Sequence, residues 1–238
     1  KCDEDISEHE LLEVIRCLNE DESIDAILVQ LPLPAAIDTD TIIMSVDPIK
    51  DVDGFQPDNL VKLLKNCPSR PPRLRPRGET GQGEAEADEF SGLMPPVFAA
   101  VLEMLKSINY EVKNKRVSII ANSLIFGRGL AHVLNCQGAK AEAVKADDKK
   151  FQEKTAQADV LITAVGQPKL IKKEMIKAGA VIIDIGITKQ GQEVVGDVDF
   201  AEVKDKAGYI SPVPGGVGPL TVAMAFKNTL EIYKKRHS

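Results

Sequence analysis

Hydrophobic and polar positions follow two periods along this chain, and each period predicts a different kind of element. Apolar residues at helical spacing follow the capping-box pair Ser7 and Glu10, which predicts a helix over residues 7–19. Similar spacing predicts helices over residues 39–46, 96–105 and 222–230, and a further helix that opens from the turn at 122–129. Short uninterrupted apolar runs predict buried strands at residues 25–31, 115–121, 139–144, 159–164, 180–186 and 208–210.

From residue 92 onward, the predicted strands alternate with helical segments. This order is typical of a parallel sheet with right-handed crossovers. The predicted fold class is therefore α/β, with a Rossmann-like parallel-sheet domain over residues 92–210. In such open sheets, ligands bind beyond the carboxyl ends of the strands, so we expect the site at that edge.

The segment Ser211–Thr221, called the Pro–Gly segment below, is rich in proline and glycine and carries no charge. Glycine lets a ligand approach the backbone without a Cβ in the way, and proline stiffens the chain. The segment also feeds a predicted helix, whose first N–H groups could face a bound molecule. The alternative is that it forms only a stiff turn between domains.

Two polar positions near the amino-terminal end are candidates for a binding site. Gln30 follows the predicted strand at 25–31, where a functional polar group would lie, although an amide bonding to nearby backbone is an equal alternative. Asp53 lies in an aspartate-rich turn at residues 47–55, next to Gly54 and Phe55. Some of these aspartates are expected to form caps or Asx-turns, but Asp53 is suited to bind the amide-like edge of a heterocycle.

Residues 66–91 differ in kind from their surroundings, because prolines and arginines are followed by an acidic, glycine-rich tract. Few of these residues are apolar, so this insertion is predicted to be a mobile surface loop, at least in its second half. A nucleic-acid role for the arginines is disfavoured by the acidic tract beside them.

Composition excludes several classes of function. The chain has 43% hydrophobic residues and a net charge of −6, which argues against bulk binding to nucleic acid or to an anionic membrane. No apolar run has membrane-spanning length, and no signal peptide is recognisable. Four cysteines without CxxC spacing suggest reduced thiols, hence a cytoplasmic location, and the three histidines form no metal-ligand pattern.

Four blocks of the sequence, in order, resemble the signatures of the methylenetetrahydrofolate dehydrogenase/cyclohydrolase family: Val29–Pro34, Lys50–Phe55, Val195–Val198 and Pro212–Thr221. The resemblance implies folate bound in a cleft between two domains, and commonly a homodimer. It implies oxidation of 5,10-methylenetetrahydrofolate by hydride transfer to NADP, then hydrolysis of the methenyl form to 10-formyltetrahydrofolate. It also implies that residues 1–65 form a partial α/β folate and catalytic domain, completed by a loop and helix at residues 211–238.

The resemblance assigns roles to individual residues. Asp53 would hold the pterin edge and Gln30 would orient the family's general acid/base lysine, which makes these two the candidate catalytic residues. The residues implied in substrate binding are Asp53, Pro214, Gly215 and Gly216. The residues implied around the cofactor or the cleft are Ser123, Gly127, Gly166 and Thr221.

This chain also departs from the family pattern. The family's Tyr-x-x-x-Lys helix would precede residue 1, and no equivalent is found in this sequence. The dinucleotide turn has Ala121 and Gly129 where the family has glycine and proline. After the second strand, Asp147 and Asp148 stand where the family favours the NADP 2′-phosphate, and acids there suit the ribose diol of NAD, or no cofactor.

These departures leave alternatives open beside the active bifunctional enzyme. The chain could be a catalytically impaired homologue that only binds folate or a nucleotide. A different Rossmann-type dehydrogenase ranks last, because it would not explain the Asp53 turn together with the Pro–Gly segment.

Overall fold

The structure is a computed structural model that describes residues 6–31, 33–34, 36–65 and 93–238. The insertion predicted at residues 66–91 lies outside the described residues.

Three helices form the described amino-terminal part: α1 (Glu8–Glu20), α2 (Thr39–Ser45) and α3 (Pro57–Lys65). Ser7 and Glu10 make the predicted capping box, which confirms the start of α1. Side chains of α1 and α2 meet in a small apolar core that includes Ile15, Ile27 and Ile42. Helix α3 was not among the sequence-based predictions.

The predicted strand at residues 25–31 is wrong as a regular element. Only Ile27 makes a bridge, a parallel one to Asp51, with Ile27 N–H donating to Lys50 O and Val52 N–H donating to Ile27 O. The apolar run is therefore an extended segment with one isolated bridge. Ile27 is buried and Val29 packs against the same small core, whereas Leu28 and Leu31 are exposed.

The larger part begins with α4 (Pro96–Ser107) and contains a five-stranded sheet. The strands are β1 (Arg116–Ala121), β2 (Lys140–Val144), β3 (Val160–Ala164), β4 (Val181–Asp184) and β7 (Tyr209–Ile210). Their spatial order is β2-β1-β3-β4-β7, and every pairing is parallel. The connecting helices are α5 (Leu124–Cys136), α6 (Phe151–Gln157), a 3-10 turn (Lys173–Met175) and α7 (Phe200–Val203). The predicted α/β, Rossmann-like class is confirmed.

A short antiparallel hairpin, β5 (Thr188–Gln190) and β6 (Glu193–Val195), follows β4. Helices cover both faces of the sheet, which produces two buried cores. Ile119 of β1 packs into the core shared with Phe98 of α4, while its neighbour Ile120 packs into the core shared with Phe151 of α6. Alternation of side chains along a strand explains why β1 shows no polar face.

The last helix, α8 (Val217–Arg236), is longer than predicted and connects the two parts of the chain. It packs along α4, and Asn228 Nδ2 donates to Val52 O and to Met94 O, each at 2.9 Å. Near its end, Arg236 donates to Ile24 O at 2.7 Å. Helix α8 therefore fixes the amino-terminal segment against the sheet domain.

Within the residues that the structure describes, none of the helices has the length and apolar character needed to cross a membrane. Cys17 is a free, exposed thiol. Cys136 Sγ lies 3.5 Å from His132 Nε2, one turn earlier in α5.

Candidate active site

A cleft of about 550 Å³ lies between the amino-terminal segment and the start of α8. One side consists of the extended stretch from Ile27 to Leu31 together with Asp53 and Phe55. The other side consists of residues from the first turns of α8 and from the chain after β4, namely Val217, Gly218, Thr221, Val222, Ala225, Ile185 and Ile187. Among the described lining residues, Asp51 and Asp53 are the titratable ones, so the cleft combines apolar walls with one acidic corner.

The turn that carries Asp53 is held by close backbone contacts. Gly54 has a φ of +66°, and an added Cβ would lie 3.0 Å from Leu93 O, so this position favours glycine. Asn228 of α8 ties Val52, immediately before Asp53, to Met94. The carboxylate is thus presented by a turn that is anchored on two sides.

The neighbouring acid, Asp51, is occupied by structural hydrogen bonds. Its Oδ2 accepts from Gln56 N and from Asn59 Nδ2, both at 3.0 Å. Asp53, in contrast, makes no hydrogen bond to the residues that the structure describes. Burial raises the pKa of the Asp53 carboxyl to about 6, and the charge of Asp51 adds to this shift. Asp53 is therefore the carboxylate of this corner that is available to a ligand, and it is mainly ionised at neutral pH.

The other charged residues of the same turn are structural. Lys50 is buried, and its Nζ donates to Leu18 O, Asn19 O and Asp21 O at 2.7–2.9 Å, which caps the end of α1. Asp47 Oδ1 accepts from Ile49 N at 2.9 Å. The expectation of caps and Asx-turns in this segment is confirmed.

Gln30 lines the cleft, as its position predicts, but it is exposed. Its Nε2 donates to Leu31 O at 2.9 Å. The backbone-bonding alternative is therefore confirmed, while the functional role of Gln30 stays a prediction that its place in the cleft permits.

Only part of the Pro–Gly segment lines the cleft. Val217, Gly218 and Thr221 do so, and Thr221 Oγ1 donates to Val217 O within the helix at 3.1 Å. The predicted substrate-binding residues of this segment precede α8 and are not among the lining residues: Pro214, Gly215 and Gly216. The peptide bond between Val213 and Pro214 is cis.

The predicted dinucleotide turn forms the junction of β1 and α5. Ser123 is the N-cap of α5, and its Oγ accepts from Phe126 N at 3.3 Å. Gly127 is buried inside the helix, where an added Cβ would lie 2.9 Å from Ala143 Cβ. Gly127 thus allows close approach of helix and sheet, the packing role that glycine has in dinucleotide-binding turns.

Gly129, where the family has proline, also lies inside α5. A Cβ added to Gly129 would lie 3.0 Å from Phe98 Cε2, so this glycine faces the Phe98 ring. Its small size lets α5 pack on α4. This substitution therefore has a packing reason in this chain.

The turn after β3, residues 165–168, is called the Gly166 turn below. Gly166 has a φ of +67° and no atom within 4 Å of an added Cβ, so its backbone is open to solvent. Gly166 O accepts from Thr188 Oγ1 at 3.2 Å, beside Ile187 of the cleft. The Gly166 turn therefore lies next to the cleft without lining it.

Two buried acids near this turn, Asp184 and Asp197, were not identified from the sequence as site residues. The block Val195–Val198 was noted only as part of the family resemblance. A carboxylate between apolar residues and next to glycine, as at Asp197, is the signal that could have identified them.

The two acids after β2 have different surroundings. Asp148 accepts from Lys150 N at 2.8 Å and from Lys154 Nζ at 2.9 Å, and these bonds, the first above all, hold its pKa below the usual range. Asp147 is exposed. Of the pair, Asp147 is therefore the one available to a ribose diol.

Comparison with known protein families gives two matches, which are separated by residues 54–94. The family described as the NAD(P)-binding domain of tetrahydrofolate dehydrogenase/cyclohydrolase matches residues 95–237, and the family described as its catalytic domain matches residues 1–53. The bifunctional protein FolD of Aquifex aeolicus is 41% identical over 233 residues, which cover 98% of this chain and 72% of that protein. The protein of the same name from Sulfurihydrogenibium sp. is 42% identical and is covered to 74%.

Solved structures give the same result. The methylenetetrahydrofolate dehydrogenase/cyclohydrolase FolD of Campylobacter jejuni has a TM-score of 0.81 at 38% identity, covering 98% of this chain and 75% of that one. The Trypanosoma brucei dehydrogenase-cyclohydrolase, complexed with NADP and an inhibitor, has a TM-score of 0.79 at 31% identity, covering 98% and 74%. The NAD-dependent 5,10-methylenetetrahydrofolate dehydrogenase of Saccharomyces cerevisiae, at 22% identity, shares the fold with a TM-score of 0.73 and covers 96% and 75%.

Proposed function

Because this chain belongs to the tetrahydrofolate dehydrogenase/cyclohydrolase family, we propose that it oxidises 5,10-methylenetetrahydrofolate to the methenyl form with NAD(P). We further propose that it hydrolyses the methenyl form to 10-formyltetrahydrofolate. The observation that carries this proposal is a single cleft lined both by Asp53 and Gln30 and by Val217, Gly218 and Thr221. The two family blocks that are most distant in the sequence thus meet at one cavity.

The cleft has the chemistry that a reduced folate requires. Ile27, Phe55 and Ile185 supply apolar surface for a flat ring system. The Asp53 carboxylate, without a partner among the described residues, can accept paired N–H donors from the pterin edge. Gln30 offers an amide at the open side of the same cavity. Asp53 is therefore proposed to orient the substrate and Gln30 to position a proton-transferring group.

The residues at the carboxyl edge of the sheet fit a nicotinamide dinucleotide. The amino-terminal end of α5, capped by Ser123, has main-chain N–H groups that suit a pyrophosphate, and the buried Gly127 lets the helix approach the sheet. The open Gly166 turn lies between this edge and the cleft. When bound, the cofactor would accept a hydride from the substrate, and these residues would orient it against the cleft.

The choice between NADP and NAD is proposed to depend on Asp147. A carboxylate after the second strand of a dinucleotide domain bonds to the ribose diol of NAD and repels the 2′-phosphate of NADP. NADP is the family expectation, while the exposed Asp147 favours NAD. Initial rates with each cofactor decide between them.

The activity test follows the two products separately. The purified chain is incubated with 5,10-methylenetetrahydrofolate and NADP or NAD, and the methenyl product and its hydrolysis are measured by absorbance. Turnover in both steps is the expected result. Binding of tetrahydrofolate in calorimetry without turnover would favour the catalytically impaired homologue, and absence of binding would contradict the proposal.

A homodimer and a cytoplasmic location are proposed on the family resemblance and the sequence. Light scattering after size-exclusion chromatography checks the first, and a mass of about 26 kDa instead of twice that would contradict it. Cell fractionation checks the second. The net charge of −6 supports the proposal that neither nucleic acid nor an anionic membrane is a partner.

A further inference from the structure

A buried hydrogen-bond network beside the Gly166 turn has no part in the proposed mechanism. It is centred on Asp197, which is fully buried. Its carboxylate accepts from Val165 N at 2.7 Å, from Gln167 N at 2.9 Å and from Thr163 Oγ1 at 2.8 Å. All three donors belong to the end of β3 or to the Gly166 turn. The Asp197 carboxylate therefore fixes the residues on both sides of Gly166.

A second buried carboxylate holds Asp197 in place. Asp184, at the end of β4, accepts from Asp197 N at 3.1 Å, from Val198 N at 2.9 Å and from Gly186 N at 3.0 Å. The two segments cross so closely that a side chain at Gly186 would overlap the Asp197 carboxylate. A side chain at Gly196 would likewise overlap the Asp184 carboxylate. These two glycines are the positions where the crossing requires the absence of a Cβ.

The network continues into the Pro–Gly segment. Asp184 N–H donates to Ser211 Oγ at 2.8 Å, and Ser211 N–H donates to Ile182 O at 3.0 Å. Ser211 is buried and is the first residue of that segment. Val213 lies two residues further along the chain, and its Cγ2 would be 2.9 Å from a Cβ added to Gly196. A single chain of contacts thus runs from the Gly166 turn through Asp197 and Asp184 to the start of the Pro–Gly segment.

We propose that Asp197 is a positioning residue for the Gly166 turn, and that Asp184 and Ser211 connect that turn to the Pro–Gly segment. This proposal rests on the proposed function, in which the turn contacts the cofactor and the segment leads into the folate cleft. Hydride transfer needs the two ligands in a narrow range of distance and angle. The network provides a rigid connection between their binding sites, because every carboxylate oxygen in it is bonded to a donor.

The test uses variants that cut the network at its two ends. Asp197→Asn keeps the volume and weakens the bonds to the Gly166 turn. Ser211→Ala removes the acceptor at the Pro–Gly segment. Asp199→Asn is the matched control, because Asp199 lies in the same segment but pairs with Lys172 at 2.8 Å, away from the Gly166 turn. Dissociation constants for NADP, NAD and tetrahydrofolate are measured by calorimetry, with hydrogen exchange of the Val165 and Gln167 amides.

Asp197→Asn is expected to raise the cofactor dissociation constant by about tenfold, the effect of one or two weakened charged hydrogen bonds, and the tetrahydrofolate constant by less than about threefold. It should also speed exchange of the Val165 and Gln167 amides. Ser211→Ala is expected to show the opposite split, with the larger effect on tetrahydrofolate. Asp199→Asn should leave both constants near wild type.

Equal changes in both constants for both variants would indicate general loosening and would overturn the positioning role, as would no change in either. If Asp197→Asn does not fold, Thr163→Val removes one of the three bonds at constant volume and should shift the cofactor constant in the same direction. Wild-type protein that binds neither ligand would overturn the proposed function itself. If the wild type binds both ligands but the two variants do not differ in which ligand they bind more weakly, only this inference is overturned.

Discussion

Two pairs of neighbouring aspartates, Asp51–Asp53 and Asp184–Asp197, differ in what their carboxylates contact. In the Asp184–Asp197 pair, each carboxylate accepts three hydrogen bonds from its surroundings. In the Asp51–Asp53 pair, Asp51 is bonded to Gln56 and Asn59, while Asp53 has no partner among the described residues. Burial raises the pKa to about 6 for both Asp53 and Asp184.

The comparison shows that a raised pKa does not by itself identify a ligand-binding acid. Asp184 is buried and shifted, yet its oxygens are used by the backbone, so its role is structural. Asp53 has the same shift and unused acceptors that face a cavity. Hydrogen-bond occupancy, together with access to a cavity, separates the two roles.

The largest effect is expected at the structural pair. Asp184→Ala leaves three buried N–H groups without an acceptor, which should lower the free energy of unfolding by about 3–5 kcal/mol. Asp199→Ala, which removes an ion pair of the same segment, should lower it by less than about 1 kcal/mol. Urea denaturation monitored by circular dichroism measures both. Similar small losses for both variants would show that the Asp184 network adds little stability.

The next effect is expected at the ligand-facing acid. Asp53→Ala removes the proposed acceptor of the pterin N–H donors, which should weaken tetrahydrofolate binding by about 100-fold, the value of two charge-assisted hydrogen bonds. The fold should remain intact, because Asp53 bonds to no described residue. Calorimetric titration measures the affinity, and thermal unfolding is the control. Unchanged affinity would contradict the assignment of Asp53.

The free energy of unfolding should depend on pH through the Asp53 carboxyl. Because the folded-state pKa of Asp53 is raised, the folded chain binds this proton more tightly than the unfolded chain does between about pH 4 and pH 6. The stability contributed by Asp53 is therefore present at low pH and is lost as the pH rises toward 6. At pH 7.5, Asp53→Asn should be about 1–3 kcal/mol more stable than wild type, with the difference vanishing near pH 4.

Unfolding in urea at several pH values measures this difference. A constant difference between pH 4 and pH 7.5 would show that the Asp53 carboxylate is not desolvated in the folded chain. Folate affinity should change in the opposite sense, since protonation below pH 6 removes the charged acceptor.

The smallest effect is expected at the Gly166 turn. Gly166→Ala and Gly179→Ala both place alanine at a positive φ, +67° and +76°, with no atom within 4 Å of the new Cβ. Each should cost about 1 kcal/mol of stability. Only Gly166→Ala should also weaken NADP or NAD binding. Gly166 follows the carboxyl end of β3, whereas Gly179 precedes the amino-terminal end of β4, at the opposite edge of the sheet. Equal cofactor affinity in both variants would remove Gly166 from the cofactor site.

Much of the architecture was predictable from local patterns. The capping box of α1, the buried runs of β1 and β3, and the long periodic stretch of α8 each depend on residues close in sequence. The run at residues 25–31 was misjudged, because Ile27 and Val29 pack in the small core while Leu28 and Leu31 line the cleft, and together they give the same apolar signal as a strand. An apolar run does not report whether a pairing partner is present.

The candidate site was predictable only in part. Asp53 and Gln30 were identified from local chemistry and family resemblance, and both line the cleft. Pro214, Gly215 and Gly216 were predicted at the same cavity. The residues that line it come after them, at Val217, Gly218 and Thr221. Asp184 and Asp197 were missed, because their partners lie 13 or more residues away for all but one bond.

Local spacing and short blocks of residues were enough to predict the class of the fold, the family and the two segments that contribute residues to the cleft. The tertiary structure alone decided which acids are used up by backbone donors and which remain open to the cavity. That decision depends on contacts between segments far apart in the chain, such as Asn228 with Val52 and Asp197 with Val165. Hydrogen-bond partners are set by where folding brings each backbone N–H group, and spacing along the sequence does not contain that information.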